Sequence, residues 1–213
     1  DVRLSRGLGD VYKRQVIGNG ESRKGIDINE LQSEKVGCNA IIRDFTVHHL
    51  VCCDKRMVVE AIKNKRISNQ NIYTRSDWQN LFPNVKIVPE LWYESEERID
   101  QPWHWGSGDY AVLLASQITA HKQIHMIGFD LFSNNNKVNN IYKGTPNYNK
   151  EDSHAVDPSY WIYHLAKIFE KFDQKEYIVY SNMGDKMPES WSSLSNVRLD
   201  SLDNLKNNLE NNR

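Results

Sequence analysis

Glycines next to polar side chains occur at three points where short apolar runs end or a long one begins. The segment 18–22 (Gly-Asn-Gly-Glu-Ser) follows Val16 and Ile17, residues 106–108 (Gly-Ser-Gly) precede a long apolar run, and residues 128–130 (Gly-Phe-Asp) follow another. Glycines let a backbone approach a phosphate, and exposed N–H groups at a helix start bind anions. These spacings predict phosphate or nucleotide binding. The alternatives are a plain tight turn for the first segment and a simple turn residue at Asp130.

Two further polar residues end short apolar runs. Asn39 follows the run that ends at Cys38, and Asp54 follows the run that ends at Cys53. An asparagine at such a place contacts a ribose or base, or caps a helix, and a helix cap is also the alternative for Asp54. The spacing around Ser107 is not the Gly-x-Ser-x-Gly of a hydrolase nucleophile elbow. We therefore expect these residues to bind a ligand rather than to attack one.

A polar insertion carries the residues suited to acid–base chemistry. Residues 133–152 contain almost no aliphatic side chains, and insertions of this length in a compact domain are usually lids or linkers. His154 follows it, with Asp152 and Asp157 close in sequence. Histidine titrates near neutral pH and can take a proton from an attacking hydroxyl, while Tyr142 can donate to a leaving phosphate. The alternative for His154 is an exposed histidine without a role.

Strand and helix patterns alternate along the chain from Val16 to Tyr180. This alternation predicts βαβ units, and hence one α/β domain with a Rossmann-like, doubly wound, mainly parallel sheet and helices on both faces. Ligands of such sheets bind beyond the carboxyl ends of the strands, so the polar residues above should meet at one rim. The domain is expected to span residues 16–202, with a small lid at 133–157 and a polar tail at 203–213 that is either a fraying helix or an unstructured tail.

Composition narrows the function classes. The 213 residues carry 27 Lys and Arg against 28 Asp and Glu, a formal charge of −1, which argues against binding to nucleic acid by bulk charge. No apolar run approaches the ~20 residues of a membrane span, and the sequence shows no signal-peptide pattern. The three cysteines lack metal-ligand spacing, which favours reduced core residues and a cytoplasmic location. No Asp-x-Asp pair is present, so we expect no metal and no cofactor.

The first fifteen residues need separate treatment. Residues 10–15 read Asp-Val-Tyr-Lys-Arg-Gln. This is the translation of a transposon end used to prepare sequencing libraries. We therefore expect residues 1–15 to be adapter-derived and the natural, metagenomic sequence to enter near Val16. The alternative is a natural basic N-terminus.

The ordered set of motifs resembles the bacterial lipooligosaccharide sialyltransferases, which use CMP-sialic acid. The resemblance runs from Val16 to about Tyr180, and it rests on residues 16–22, 26–27, 38–39, 106–108, 127–130 and 152–154. It implies transfer of a sugar from a nucleotide-sugar donor to a glycan or other acceptor hydroxyl without metal. It also leaves room for a homo-oligomer.

The resemblance further implies individual roles. Asn19 and Ser22 would line the donor phosphate beside Gly18 and Gly20, and Asn39 would contact the nucleotide. Ser107 and Gly108 would hold the CMP portion, and Gly128 and Asp130 would border the ribose. Tyr142 would be one of two lid tyrosines that donate to the departing phosphate. Four positions depart from the family: Pro158 replaces its base histidine, Phe132 a lid tyrosine, His104 an arginine and Asp54 an asparagine. A nucleotide donor is therefore better supported than sialic acid as its sugar.

Two other functions stay open. The Gly-Asn-Gly-x-Ser turn is also similar to one in archaeal pterin diphosphokinase-like proteins, which would need ATP and magnesium. A non-catalytic nucleotide-sugar-binding protein is the other alternative, because two family catalytic positions are changed.

Overall fold

One parallel sheet organises the computed structural model, which describes residues 13–93, 106–133, 135–182 and 185–210. Its strands are β1 (Lys13–Ile17), β2 (Glu34–Cys38), β3 (His49–Val51), β4 (Ile72–Thr74), β5 (Lys86–Ile87), β6 (Gln123–Ile127), β7 (Glu176–Ser181) and β8 (Val197–Ser201). The helices are α1 (Lys55–Asn64), α2 (Ser107–Ile118), α3 (Ser159–Lys171), α4 (Glu189–Ser192) and α5 (Leu202–Glu210).

The order of the strands confirms the doubly wound prediction. The eight strands lie in the order β5-β4-β3-β2-β1-β6-β7-β8, and every neighbouring pair is parallel. Val16 is central, between Val36 of β2 and Met126 of β6. The chain winds outward from β1 to β5 and then crosses back to β6 on the other side of β1. The point where winding reverses, and where ligands of such sheets bind, is therefore between β1 and β6.

Two apolar layers cover the two faces of the sheet. Val16 belongs to the layer under α2 and α3, and its neighbour Ile17 belongs to the layer under α1 and α5. Helix α2 is apolar on almost all sides and, as expected from that pattern, most of its residues are buried. Because successive strand residues face opposite sides of the sheet, each strand contributes side chains to both apolar layers. The turn that follows each strand therefore begins at the carboxyl rim of the sheet.

The C-terminal segment forms a regular helix as far as the structure describes it. The tail predicted from Asp203 is, as far as the structure describes it, helix α5, and the predicted boundary falls inside that helix. Leu202 and Leu205 are buried against the sheet, and Leu209 packs beside them. This spacing is one apolar face of a helix, which the surrounding asparagines obscured. Within the described ranges, no helix has the length and apolar character to cross a membrane.

Strand β1 begins before the expected start of the natural sequence. Of the residues that we assign to the adapter-derived segment, Arg14 and Gln15 pair with both β2 and β6, and Lys13 pairs with β6. The side chains of Arg14 and Gln15 are polar and nevertheless buried.

Candidate functional site

The turns after β1 and β6 pack directly on each other. The N–H of Gly18 donates to the Ile127 carbonyl at 2.8 Å, and the N–H of Gly20 donates to the Gly128 carbonyl at 2.9 Å. A Cβ on Gly18 would overlap the Gly128 carbonyl, and Gly128 itself has φ +75°. These two glycines are therefore required by the close approach of two backbones, whatever ligand the rim binds.

Asp130 occupies the anion-binding positions of the first turn. The Ser22 N–H donates to Asp130 Oδ2 at 2.8 Å, the Ser22 hydroxyl donates to Oδ1, and the Glu21 N–H donates to Asn139 Oδ1 at 3.0 Å. A Cβ on Gly20 would overlap the Asp130 carboxyl. The turn continues only into the short 3₁₀ helix Glu21–Arg23. In this structure the donors of the turn are used by the chain's own carboxylate, and its predicted binding of a phosphate stays a prediction.

The Asp130 carboxyl is perturbed by its surroundings. Burial raises its pKa, while hydrogen bonds from Ser22 and Asn139 act in the opposite direction. The group lies at the reversal point of the sheet, next to the cavity described below. A partly buried, perturbed carboxyl at such a place is typical of a functional site.

Tyr142 lies inside the protein rather than at the rim. Its side chain is only 5% exposed. The hydroxyl accepts a hydrogen bond from Arg23 Nη2 at 3.0 Å and donates to Asp44 Oδ2 at 2.7 Å. Burial and Asp44 both raise its pKa. In this arrangement the hydroxyl proton is committed to Asp44, so Tyr142 stabilises the fold beneath the site.

Tyr148 is the tyrosine that faces the rim, and the sequence reasoning missed it. Its hydroxyl oxygen lies 3.3 Å from the donating Ala40 N–H and 3.4 Å from Asn19 Nδ2, which also donates to the Cys38 carbonyl at 3.0 Å. A phenol oxygen has two acceptor positions and one proton. Both acceptor positions are taken by N–H groups, and no acceptor for the proton is found among the described residues. Tyr148 therefore has an O–H available for a ligand.

Asn39 and Ser107 meet at the start of α2. Ser107 Oγ donates to Asn39 Oδ1 at 2.9 Å and accepts from the Cys53 N–H at 2.9 Å. Asn39 has φ +50°, in the left-handed region that asparagine tolerates. Its Nδ2 has no hydrogen-bond partner within the described part of the chain. The free N–H groups of the first helical turn lie next to this amide.

A cavity of about 210 Å³ lies beside Asp130 and Tyr148. Its lining includes Asp130, Phe132, Asn139, Tyr148, Val156 and Trp161. Tyr148 links the cavity to Asn19, and Trp161 links it to α2, because a Cβ on Gly106 would lie 2.8 Å from Trp161 Nε1. Of the three turns, the one after β6 lines the cavity directly through Asp130, and the other two lie next to residues that line it.

The polar insertion is irregular, as expected, but its middle is fastened to the fold. The Ile141 N–H donates to the Asn19 carbonyl at 2.9 Å. Arg43 donates to Thr145 Oγ1 at 2.7 Å and to the Pro146 carbonyl at 2.9 Å, while its guanidinium pairs with Glu60. The flanking parts are joined to each other, because the Val138 N–H donates to the Ser153 carbonyl and the Ala155 N–H donates to the Asn136 carbonyl, both at 3.0 Å. The predicted lid therefore has a fixed centre.

His154 and Asp54 do not line the cavity. His154 is exposed, and its neighbours Ala155 and Val156 line the cavity in its place. Asp54 caps α1, accepting from the Arg56 N–H at 2.8 Å and pairing with the Arg56 guanidinium at 2.7 Å. The helix-cap alternative is therefore the one observed for Asp54.

Gly108 and His104 are the remaining residues that the sequence predicts at the donor site. Gly108 lies in the first turn of α2, against the Phe129 ring. His104 falls outside the described residues.

The cysteines behave as core residues. All three are free, and burial raises the pKa of Cys38 to about 12. In the described ranges, no three His, Cys, Asp or Glu side chains lie close enough together to hold a metal ion.

No protein-family model and no curated protein matches the chain. Among solved structures, the chain is similar to the sialyltransferase CstII from Campylobacter jejuni in three complexes. With cytidine-5'-monophosphate the identity is 14%, the TM-score 0.46 and the coverage 79% of each chain. With CMP-3FNeuAc the identity is 14%, the TM-score is 0.47, and the match covers 79% of this chain and 80% of the other. With a trisaccharide acceptor and CMP the identity is 15%, the TM-score is 0.46, and the match covers 78% of this chain and 80% of the other.

Proposed function

We propose that the protein is a glycosyltransferase that transfers a sugar from a nucleotide-sugar donor, a CMP-sugar first among them, to an acceptor hydroxyl. The observation that carries the proposal is the convergence of three turns and one cavity at the reversal point between β1 and β6. Ligands of doubly wound sheets bind at such points. The order of motifs in the sequence makes CMP the first nucleotide to test.

The cavity offers the contacts that a nucleotide needs. Phe132, Tyr148 and Trp161 supply apolar and aromatic surface for a base or ribose. Asn39 and the first turn of α2 supply donors for a phosphate, and Tyr148 adds its O–H. These donors would carry the leaving-group charge without a divalent ion. Metal independence is therefore part of the proposal.

The proposed chemistry is a single displacement. The acceptor oxygen forms a bond to the anomeric carbon of the donor. The bond from that carbon to the phosphate oxygen breaks, and its electron pair leaves with CMP. His154 takes the acceptor proton after residues 149–157 fold over the bound donor, which also excludes water. Its exposed position in the present arrangement makes this movement necessary.

The histidine variant tests that step. His154→Ala should lower kcat by roughly 10²–10⁴-fold and leave donor affinity nearly unchanged, because a base acts mainly in the transition state. His121→Ala, between α2 and β6 at the opposite end of the sheet, is the control. Near-wild-type turnover of His154→Ala, where chemistry limits the rate, would remove His154 from the mechanism.

Ligand screening by thermal unfolding tests the donor class. CMP and CMP-sialic acid should stabilise the full chain in the presence of EDTA, since a ligand that binds only the folded state raises its stability. Stabilisation by UDP-sugars instead would change the donor. Stabilisation only by ATP with magnesium would indicate a diphosphokinase.

A non-catalytic nucleotide-sugar-binding protein is the second candidate. It is favoured by the exposed position of His154 and by the commitment of the Tyr142 hydroxyl to Asp44. Release of CMP from CMP-sialic acid in the presence of a broad set of acceptors separates the two. Donor binding with no CMP release supports the binding protein.

A further inference from the structure

Arg23 is a buried cation beneath the turns after β1 and β6. Its side chain is 2% exposed, although it belongs to the short 3₁₀ helix that follows the first turn. Its Nε donates to the Gly18 carbonyl at 2.8 Å, and a Cβ on Gly128 would lie 3.1 Å from Arg23 Cδ. The side chain therefore supports both turns from inside the protein.

The contacts that the structure shows for the Arg23 guanidinium are with neutral groups. Nη2 donates to the Tyr142 hydroxyl at 3.0 Å and lies 3.4 Å from Asn19 Oδ1. The rings of Phe45 and Tyr142 face the guanidinium, with centroids 5.8 and 5.6 Å from Cζ. Its connection to a carboxylate is indirect, because the Tyr142 hydroxyl donates to Asp44 Oδ2 at 2.7 Å. Within the described ranges, Arg23 thus has no direct ion pair.

A buried charge without a direct counter-ion is unfavourable, because hydrogen bonds and ring faces replace only part of its hydration. An anion bound at the rim above the two turns would supply the missing counter-charge. The attraction would be stronger than one between exposed groups, because buried charges are screened less by water and salt.

Lys143 and Asp130, also next to the first turn, differ from Arg23 in having direct partners. Lys143 pairs with Glu21 at 2.9 Å, and the Asp130 carboxyl accepts from the Ser22 N–H at 2.8 Å. An ionised Asp130 would repel a phosphate. A positive charge beneath the same pair of turns is therefore what would allow the rim to accept one.

Asn19 connects the guanidinium to the proposed donor site. Its Oδ1 faces Arg23, while its Nδ2 donates to the Cys38 carbonyl at 3.0 Å and lies 3.4 Å from the Tyr148 hydroxyl. Tyr148 lines the cavity of about 210 Å³. One amide thus separates the buried cation from the tyrosine whose O–H is available to a ligand.

We infer that Arg23 makes this rim specific for phosphate-bearing ligands, by placing a fixed positive charge beneath the turns. That the ligand is a nucleotide rests on the proposed function. That its phosphate is attracted by Arg23 rests on the geometry of the guanidinium and its neutral surroundings. Arg23 acts from beneath the site and determines specificity rather than chemistry.

NMR titration of the full chain with CMP, AMP and cytidine tests the inference, since it measures weak binding as well as tight binding. Arg23→Met keeps an unbranched apolar side chain and removes the charge. It should weaken binding of CMP and AMP about tenfold, the size of one charge interaction between neighbouring groups, and change cytidine binding less than about twofold. Arg23→Lys keeps the charge and should recover most of the lost affinity.

Tyr142→Phe is the matched control. It removes a buried hydroxyl from the same network but leaves the charge in place, so it should lower Tm without a comparable loss of CMP affinity. This variant separates the effect of the charge from a general loosening of the turns.

Four results would overturn the inference: equal weakening of cytidine and nucleotides in Arg23→Met, an Arg23→Lys variant as weak as Arg23→Met, a Tyr142→Phe variant as weak as Arg23→Met, or no nucleotide binding to the unaltered chain. If nucleotides bind in an Arg23-dependent way but CMP is never released from CMP-sialic acid, the proposed function fails and this inference stands.

Discussion

The two ends of β1 differ in how their polar groups are satisfied. At the carboxyl end, Asp130 accepts two hydrogen bonds from Ser22, and Ser107 joins Asn39 to the backbone of the next strand. At the amino end, Arg14 Nε and Nη1 and Gln15 Oε1 are buried without hydrogen-bond partners in the described part of the chain. Buried polar groups are normally paired, so the two ends are not equally adapted to this fold.

The amino end is where the adapter interpretation makes a physical prediction. Burial lowers the pKa of Arg14, although the nearby Glu34 carboxylate opposes this effect. Gln15 lies in the central strand beside His125, whose Nε2 is also buried without a partner in the described ranges. A natural central strand of a parallel sheet is expected to be apolar at such positions. Residues 13–15 thus complete the strand by backbone pairing, while Arg14 pairs with Glu34 through Nη2 alone and Gln15 Oε1 is left without a partner in the described ranges.

The largest expected effect is at the carboxyl end. Gly18→Ala places a methyl group onto the Gly128 carbonyl, so we expect a loss of roughly 3 kcal/mol in the free energy of unfolding. Gly108→Ala, whose Cβ would meet only the Phe129 ring at 3.3 Å, is the control and should change stability little. Urea unfolding of both variants measures the difference. Equal stability of the two would mean that the turns can separate without cost.

A gain in stability is expected at the amino end. Gln15→Val removes a buried amide whose Oε1 has no partner and adds a β-branched side chain suited to a strand. We expect the free energy of unfolding to rise by about 1–2 kcal/mol. Gln15→Glu, which buries a charge instead, should lower it. A loss on Gln15→Val, measured by urea unfolding, would mean that the glutamine belongs to the natural strand.

The two tyrosines separate ligand binding from support of the fold. Tyr148→Phe removes the O–H available to a ligand and should weaken CMP binding about fivefold. Tyr142→Phe leaves Arg23 and Asp44 without their shared partner, so it should lower Tm while CMP affinity changes less. Calorimetric titration and thermal unfolding of both variants provide the two readouts. The reverse pattern would return Tyr142 to the role that the family resemblance implied.

The smallest effect concerns Asp109, a buried carboxyl in the first turn of α2. Burial raises its pKa well above the usual range of a carboxyl, although the hydrogen bond from the Gly106 N–H acts in the opposite direction. The folded state thus binds its proton more tightly than the unfolded state, and stability falls as pH rises above the unfolded pKa. Asp109→Asn should remove this loss and raise Tm by about 2 °C more at about pH 8 than at about pH 4.5. An equal change at both pH values would contradict it.

Local patterns made the fold and the glycine turns predictable. The apolar runs of β1 and β6 and the all-round apolar α2 are visible in the sequence, and parallel strands necessarily bring the turns after β1 and β6 to one rim. Helix α5 was left open between a fraying helix and a tail, because Leu202, Leu205 and Leu209 stand among asparagines.

The details of the site depend on contacts between distant residues. Tyr148 is 129 residues from Asn19, and Arg43 is 102 residues from Thr145. Which tyrosine is buried and which faces the cavity follows from these contacts, and no local pattern encodes it. The same holds for Asp130 as the anion of the first turn, because its partner Ser22 is 108 residues away.

Isothermal titration of the full chain with CMP in EDTA tests the central claim most directly. The account predicts saturable binding at one site, weakened by Tyr148→Phe and by Trp161→Leu, both of which alter the cavity between the insertion and α3. The absence of binding heat across several temperatures, or binding that neither variant weakens, would contradict the claim that the carboxyl rim between β1 and β6 is a nucleotide site.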